Sequence, residues 1–457
     1  MSRLTLQQAA QWCGGAVDPK YAQVSFLGAN NDSREIQPGQ LFVALSGNRD
    51  GHAFIPMAMR AGAAAVLCTH CPGDYPAIVA PNPRKALGDI ARQLRLQMNM
   101  TVVGVTGSVG KSTTKEMLAS VLERKYVTGR SPANHNNDIG LPMAILALPE
   151  DTQVAVLEMG MNHFGEIEYL SAIVEPDVAV ITNIGDSHIE NLGSRENILK
   201  AKCEIFSHMD PEKGFVILNG DDPLLSGLRP TLAFETVSVG SAEGLEYRAT
   251  DVSPDGEKSV RCHVITPKVQ FDAQIPALGS HMLYPTLTAA AVAERFGMTG
   301  EEIARGILRF APTKMRMNIL KRGEGVTVLN DTYNANPQSM RAAVEVLAKT
   351  GAGYKIAVLG DMFELGPFAP TLHAGVGTYL AKAGIDCLLA VGDLARHIYQ
   401  AAQEAGLADA YWCLTKEEAE PILEQLVRPD ATILVKASRG MAFEELVDYL
   451  KSITKEP

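Results

Sequence analysis

A surplus of positive charge is missing from this chain. Forty-one Lys and Arg against 52 Asp and Glu leave a net charge of −11 over 457 residues. A surface of that sign repels polyanions, which argues against nucleic acid or an anionic membrane as the main partner. It does not argue against phosphate held in a local site. Long apolar runs are missing too. None approaches the roughly 20 residues of a membrane span, and Met1-Ser2-Arg3 leads into a polar helix rather than a secretory leader. Cysteine is sparse. Seven residues scattered over the chain fit reduced thiols in a cytosolic compartment rather than a disulfide framework. Cys68-Thr69-His70-Cys71 has metal-ligand spacing, but no second ligand pair is nearby, so it reads as buried thiols. Tandem repeats and low-complexity segments are also lacking. What remains is an ordinary globular composition, 46% hydrophobic and 20% charged, in a chain long enough for about three domains.

The most informative segment runs Gly104-Val105-Thr106-Gly107-Ser108-Val109-Gly110-Lys111-Ser112-Thr113. The β-branched run Thr101–Val105 before it predicts a buried strand. Thr114, Met117, Leu118, Val121 and Leu122 after it share one helical face. A strand, a glycine-rich turn and a helix make a phosphate-binding loop. Glycines let the backbone approach phosphate oxygens, and the helix N-terminus presents its N–H groups to them. Lys111 supplies positive charge, and Ser112 offers a hydroxyl to Mg²⁺. Five residues rather than four separate Gly104 from Gly110, so the loop is a variant of the common form. A nucleoside triphosphate with Mg²⁺ is the expected ligand.

An α/β fold in three domains is expected: a small α/β N-terminal domain over 1–98, a central parallel-sheet ATPase domain with the phosphate loop over 99–312, and a C-terminal Rossmann-like domain over 313–457. In the first, turn-rich segments including Gly47-Asn48-Arg49-Asp50-Gly51-His52 alternate with strands at 41–45 and 64–67. In the second, apolar runs at 154–158, 178–182 and 215–219 indicate parallel strands covered on both faces. Residues 236–276 look like an antiparallel insertion, and a helix follows over 286–296. In the third, runs at 326–330, 355–360, 387–391 and 432–436 repeat the doubly wound pattern.

In such sheets ligands bind beyond the carboxyl ends of the strands. Glu158 ends one strand, where a carboxylate suits Mg²⁺. His188 lies beyond the next and is a candidate for a second metal ion. The loop Asn134–Pro142 offers amide groups to a polar substrate. Asn330–Pro337, Gly360–Gly366 and Lys436-Ala437-Ser438-Arg439-Gly440 close strands of the third domain, the last with two cations and a hydroxyl suited to a carboxylate or phosphate. Lys200 and Lys202 sit on one helix, and their spacing singles out neither.

These segments, in this order and over nearly the whole chain, resemble the Mur ligase family of ATP-dependent amide-bond-forming enzymes. The motifs at 330–337 and 360–366 resemble the branch that adds D-alanyl-D-alanine. The relative that adds diaminopimelate carries Asp-Asn-Pro-Arg in the third domain, whereas here Asn-Pro-Arg occurs only at 82–84.

The resemblance implies phosphorylation of the terminal carboxylate of a UDP-N-acetylmuramoyl tripeptide, then attack by the amine of D-alanyl-D-alanine. It implies a cytoplasmic, monomeric enzyme of peptidoglycan synthesis, and so a part in cell shape and division. By this likeness Gly107, Ser108, Val109, Gly110, Lys111, Ser112 and Thr113 bind ATP, joined from the third domain by Arg316, Asn330, Asp331, Asn334 and Asn336 once the domains close. Ser112 and Glu158 take one Mg²⁺, and His188 and a carbamylated Lys202 take the other, with Lys111, His188 and Lys202 in the catalytic set. Ser33, Arg34, Asp50, Gly51 and His52 face the UDP-sugar end, Asn136 and Asn137 the substrate. Lys436, Ser438 and Arg439 are candidates for the dipeptide carboxylate.

One segment departs from the family. His281-Met282-Leu283-Tyr284-Pro285-Thr286-Leu287 lacks the two asparagines usual there, and Ala437 replaces a usual glycine. Another ligase of the family, or a nucleotide-binding relative without catalysis, are the alternatives. The Lys111, Glu158, His188 and Lys202 set argues against the second.

Overall fold

The structure is a computed structural model that describes residues 3–47, 49–255, 258–350 and 353–456. Met1 and Ser2 of the N-terminal segment and Asn48 of the 47–52 turn lie outside the described residues.

Three sheets form the framework. The first orders Ala16–Val17, Ala77–Val79, Ala65–Cys68, Leu41–Val43 and Ala29–Asn30, antiparallel at the first pair and parallel after it. Helix Pro83–Gln97 follows, with Asn82 capping it and Pro83 in its first turn. The Asn-Pro-Arg triplet is therefore a helix start, where a missing N–H costs nothing. Arg92 and Arg95 of this helix donate to the carbonyls of Ala172 (2.9 Å) and Val174 (2.7 Å), tying the first unit to the second.

The central sheet has nine strands among the described residues. Thr101–Thr106 lies between Val154–Glu158 and Val178–Ile181, all parallel. These runs are buried along their length, as strands covered by helices on both faces must be. Helices Lys111–Leu122 and Leu283–Arg295 cover one face. The other packs into a core shared with helix Pro83–Gln97 and the first sheet.

The expected insertion at 236–276 is corrected. Glu235–Gly240 pairs in parallel with Phe215–Asn219, and Tyr247–Asp255 begins parallel to it. Only from there do Ser259–Ile265 and Gln270–Ile275 run antiparallel. Helix Pro223–Leu228 crosses between 219 and 235, so the chain re-enters the same sheet in the same direction. The helix expected from 286 starts at Leu283, after a turn over Ser280–Met282. Pro285 falls in its first turn, where proline is tolerated.

The third sheet orders Asn318–Lys321, Thr327–Asn330, Thr432–Lys436, Lys355–Gly360, Cys387–Val391 and Ala410–Cys413. The four apolar runs are its parallel interior. The two edge strands lack an unbroken apolar run, because an edge is half solvated: Tyr411 and Trp412 are exposed. This unit rests against the central one. Gln338 Nε2 donates to Asp186 Oδ2 (2.6 Å) and Asn336 Nδ2 to Ser187 Oγ (2.8 Å). No helix among the described residues is long and apolar enough to cross a membrane.

Candidate active site

The carboxyl ends of the central and third sheets enclose a cleft of about 370 Å³. Its floor is the glycine-rich loop. Gly107 has φ +145°, and a Cβ there would stand 1.8 Å from Thr182 Oγ1. That hydroxyl is committed to Val109 O (2.6 Å) and cannot move aside without losing the bond. Asn183 clamps Val109 from both sides, Oδ1 accepting from its N–H and Nδ2 donating to its carbonyl, each at 2.9 Å. Ser108 Oγ accepts from Gly185 N–H (2.8 Å). The loop is thus rigid before any ligand arrives. Gly110, at φ +83°, opens helix Lys111–Leu122 with no side-chain cap. The first-turn N–H groups are left to face the cleft, a ready anion site. Lys111 Nζ donates to Gly107 O (2.8 Å) across the loop. Enclosure by protein lowers its pKa, with Glu158 opposing and Arg316 adding to the effect.

Glu158 and His188 flank the loop from the strands on either side. Glu158 is 2% exposed. Its Oε2 accepts from Ser112 Oγ and its Oε1 from Asn136 Nδ2, both at 2.8 Å. Ser131 Oγ accepts from its backbone N–H (3.0 Å). A buried carboxylate held by two neutral donors, with a hydroxyl 2.8 Å away, has the hard oxygen chemistry that suits Mg²⁺. His188 sits in the left-handed region, φ +64°. Its Nδ1 is 2.6 Å from Glu364 Oε2 but lies out of line for a hydrogen bond. The contact holds the Glu364 carboxyl below its ordinary range. Lys202 is 1% exposed and makes no hydrogen bond or ion pair among the described residues. Burial pushes its pKa far down, and the charge of Lys111 adds to this. No group of three or more His, Cys, Asp and Glu side chains among the described residues is set to hold a metal.

The third unit closes the cleft. Arg316 stacks on the Tyr333 ring at 4.1 Å and donates to Ser112 Oγ at 3.3 Å. Asp331, Asn334 and Asn336 line the cleft with Thr113, Asn136 and Asn137. Asn137 Oδ1 accepts from Gly140 N–H (2.8 Å), and Asn336 caps helix Pro337–Lys349. Asn330 lies outside the lining, its Oδ1 accepting from Thr332 Oγ1 (2.8 Å). The 436–439 group is dispersed. Lys436 is buried against Asp331 Oδ2 (2.6 Å) and Asn334 O (2.8 Å). Ser438 Oγ accepts from Phe363 N–H (2.8 Å). Arg439 is exposed and pairs with Glu444 (2.6 Å).

A second cavity of about 620 Å³ opens beside the first sheet, lined by Ser33, Arg34, Arg49, Phe54 and His135 among others. Asp50, Gly51 and His52 stand behind its wall. Asp50 Oδ1 lies 2.6 Å from His52 Nδ1, and buried His52 accepts at Nε2 from Thr69 N–H (3.1 Å). The three fix the turn that brings Arg49 and Phe54 to the cavity. Phe54 escaped the sequence reading, and Arg49 and His135 entered it only as members of a marked turn and a marked loop, not as site residues. Cys68 is fully buried, which pushes its thiol up to about 12.

The Mur ligase middle domain matches residues 105–293, and the Mur ligase glutamate ligase domain matches 315–439. The UDP-N-acetylmuramoyl-tripeptide–D-alanyl-D-alanine ligase of Bacillus subtilis is 37% identical over 98% of this chain and 99% of its own length. The Escherichia coli ligase of that name is 34% identical over 99% of each. A crystal structure of MurF from Acinetobacter baumannii superposes with a TM-score of 0.91 at 33% identity, covering 99% of both chains. MurF from Thermotoga maritima in complex with ADP gives 0.82 at 28% identity, covering 93% of this chain and 97% of that one.

Proposed function

The chain belongs to the Mur ligase family, and on that premise we infer that it joins D-alanyl-D-alanine to a UDP-N-acetylmuramoyl tripeptide at the expense of ATP. The observation that carries this is full-length likeness to ligases of that name, at 37% and 34% identity. The rigid phosphate loop facing a buried carboxylate and a third-unit arginine gives it a chemical basis. The three units are taken as 1–98, 99–312 and 313–457.

The reaction has two steps. The terminal carboxylate of the tripeptide attacks the γ-phosphorus of ATP, giving an acyl phosphate and ADP. The dipeptide amine, having lost its proton, then adds to the acyl carbon, and the tetrahedral intermediate expels phosphate to leave an amide. Gly110–Thr113 offer backbone N–H groups to the phosphates, while Ser108 and Val109, whose N–H groups are held by Asn183, keep the loop in shape. Lys111 neutralises charge on the transferred phosphoryl group by turning from Gly107 O. Arg316 adds a second charge from the third unit, where Tyr333 holds its guanidinium flat. Preorganised donors of this kind carry most of the catalysis in phosphoryl and acyl transfer.

Ser112 and Glu158 would hold one Mg²⁺, and His188 with Lys202 the second. Bound there, the metal supplies charge neutralisation between crowded oxygens. Lys202 suits this role only as a carbamate, formed when its neutral amine adds to CO₂ and releases a proton. Burial without a partner supports that, since it favours the neutral amine. Asp331, Asn334 and Asn336 are assigned to the nucleotide, Asn330 to the turn that carries them. Ser33 and Arg34 are assigned to the UDP end, with Asp50, Gly51 and His52 behind them. Asn136 and Asn137 face the tripeptide. Arg439, exposed, is the leading anchor for the dipeptide carboxylate, with Lys436 and Ser438 shaping its surroundings. A monomer in the cytoplasm completes the reading.

The test is phosphate release with a panel of acceptors. D-Alanyl-D-alanine should drive it with tripeptides bearing lysine or diaminopimelate at position three. Release driven instead by a single amino acid would assign the chain to another ligase of the family.

A further inference from the structure

Helix Lys111–Leu122 carries a second lysine one turn after the first. Lys115 is 0% exposed. It does not line the cleft. Its ammonium donates to the carbonyls of Ser131 (2.6 Å) and Ala133 (3.3 Å) and lies 3.3 Å from Glu116 Oε1. Burying a lysine is costly, so an apolar residue would serve mere packing better.

What the ammonium holds is a short loop with an unusual backbone. Ala133 has φ +37°, a conformation that L-residues other than asparagine, aspartate and histidine seldom adopt. It persists only where the surroundings impose it. The same loop touches both cavities. Pro132 and His135 line the second one, beside Ser33 and Arg34. Asn136, one residue on, lines the main cleft and donates to Glu158. Ser131 Oγ accepts from the Glu158 backbone, and Asn136 O accepts from Gly160 N–H at 2.8 Å. Burial lowers the His135 pKa, and the Lys115 charge lowers it further, with Glu35 opposing.

We propose that Lys115 is a positioning residue that sets the register between the two cavities, fixing the 131–136 loop to the phosphate-loop helix so that a substrate anchored in one presents its carboxylate in the other. The proposal rests on the assignment of ATP to the main cleft and of the UDP end to the second cavity. The phosphate loop itself does not depend on Lys115, because its clamps are Thr182, Asn183 and Gly185.

The experiment compares the native protein with Lys115→Met, which keeps the volume and removes the charge, and with Ser131→Ala, which leaves the ammonium and removes the acceptor for the Glu158 backbone N–H. KM for the UDP-linked tripeptide should rise about tenfold in Lys115→Met, the scale of one lost hydrogen bond to a charged group, with KM for ATP within about twofold. Ser131→Ala should shift the same KM in the same direction. Hydrogen exchange read by mass spectrometry should speed up over 131–137 in Lys115→Met and stay unchanged over 104–113. An unchanged KM for the tripeptide, or equal rises for both substrates, overturns the proposal, as does unchanged exchange over 131–137. Exchange needs no turnover, so it still decides the matter should the chain ligate a different amine. If Lys115→Met does not fold, the Ser131→Ala split decides.

Discussion

The two ends of the main cleft are built on opposite principles. At the phosphate end every group is fixed by directional bonds: Gly107 admits no side chain, Val109 is clamped by Asn183, and Ser112 and Glu158 share a hydrogen bond. At the other end the wall is mostly apolar, Ala277, Leu278, Met282, Phe310 and Pro312, with His281 and Thr313 as polar members. Directional bonds discriminate steeply, because a wrong partner leaves buried polar groups unpaired. Apolar walls discriminate by shape alone. The contrast predicts a cleft strict about triphosphate geometry and more lenient about the base the triphosphate carries.

The largest effect is expected at Lys111. Lys111→Ala should lower kcat by at least ~10²-fold, the scale for one preorganised donor, with the fold intact by circular dichroism. Near-native turnover would remove the strict end of the comparison. Lys202→Ala should be nearly as damaging, and short carboxylates added to the assay should restore part of the rate if the missing group is a carbamate. An active variant with no response to carboxylates would leave His188 without its partner.

Gly107→Ala comes next. A methyl group there meets a committed hydroxyl on a backbone only glycine favours, so unfolding free energy should fall by about 1–3 kcal/mol. Thermal melts of the two proteins measure it, and equal melting temperatures would mean that the loop is softer than its bonds imply. The smallest effect concerns the apolar end. GTP should support ligation measurably, and Met282→Asn should raise the ATP preference by only a few-fold, the scale of one net hydrogen bond of about 1 kcal/mol. Strict ATP preference in the native protein, unmoved by the substitution, would show that backbone groups read the base.

The strict end was legible in the sequence because its chemistry is local. A strand, a glycine turn and Gly-Lys-Ser fall within about a dozen residues, and Glu158 and His188 end runs whose periodicity marks them. The parallel interior of each sheet was legible for the same reason. Other features depend on which way a side chain turns, and spacing does not record that. Lys200 is exposed and Lys202 buried on one helix, yet their spacing singles out neither. Lys436, Ser438 and Arg439 read as one anion site, but they point to Asp331, Phe363 and Glu444. Lys115 was invisible because its partners lie 16 and 18 residues away in a loop whose strain has no signature in sequence. The parallel strand at 235–240 was taken for part of an insertion because alternation does not report direction.

The central claim is that ATP activates a carboxylate in this cleft as an acyl phosphate. It is tested most directly with a UDP-N-acetylmuramoyl tripeptide carrying ¹⁸O in its terminal carboxylate, ATP and D-alanyl-D-alanine, followed by mass analysis of the released phosphate. The account predicts one ¹⁸O in phosphate for each amide formed, since the carboxylate oxygen bridges carbon and phosphorus and leaves with phosphorus. Amide formed with unlabelled phosphate would contradict it.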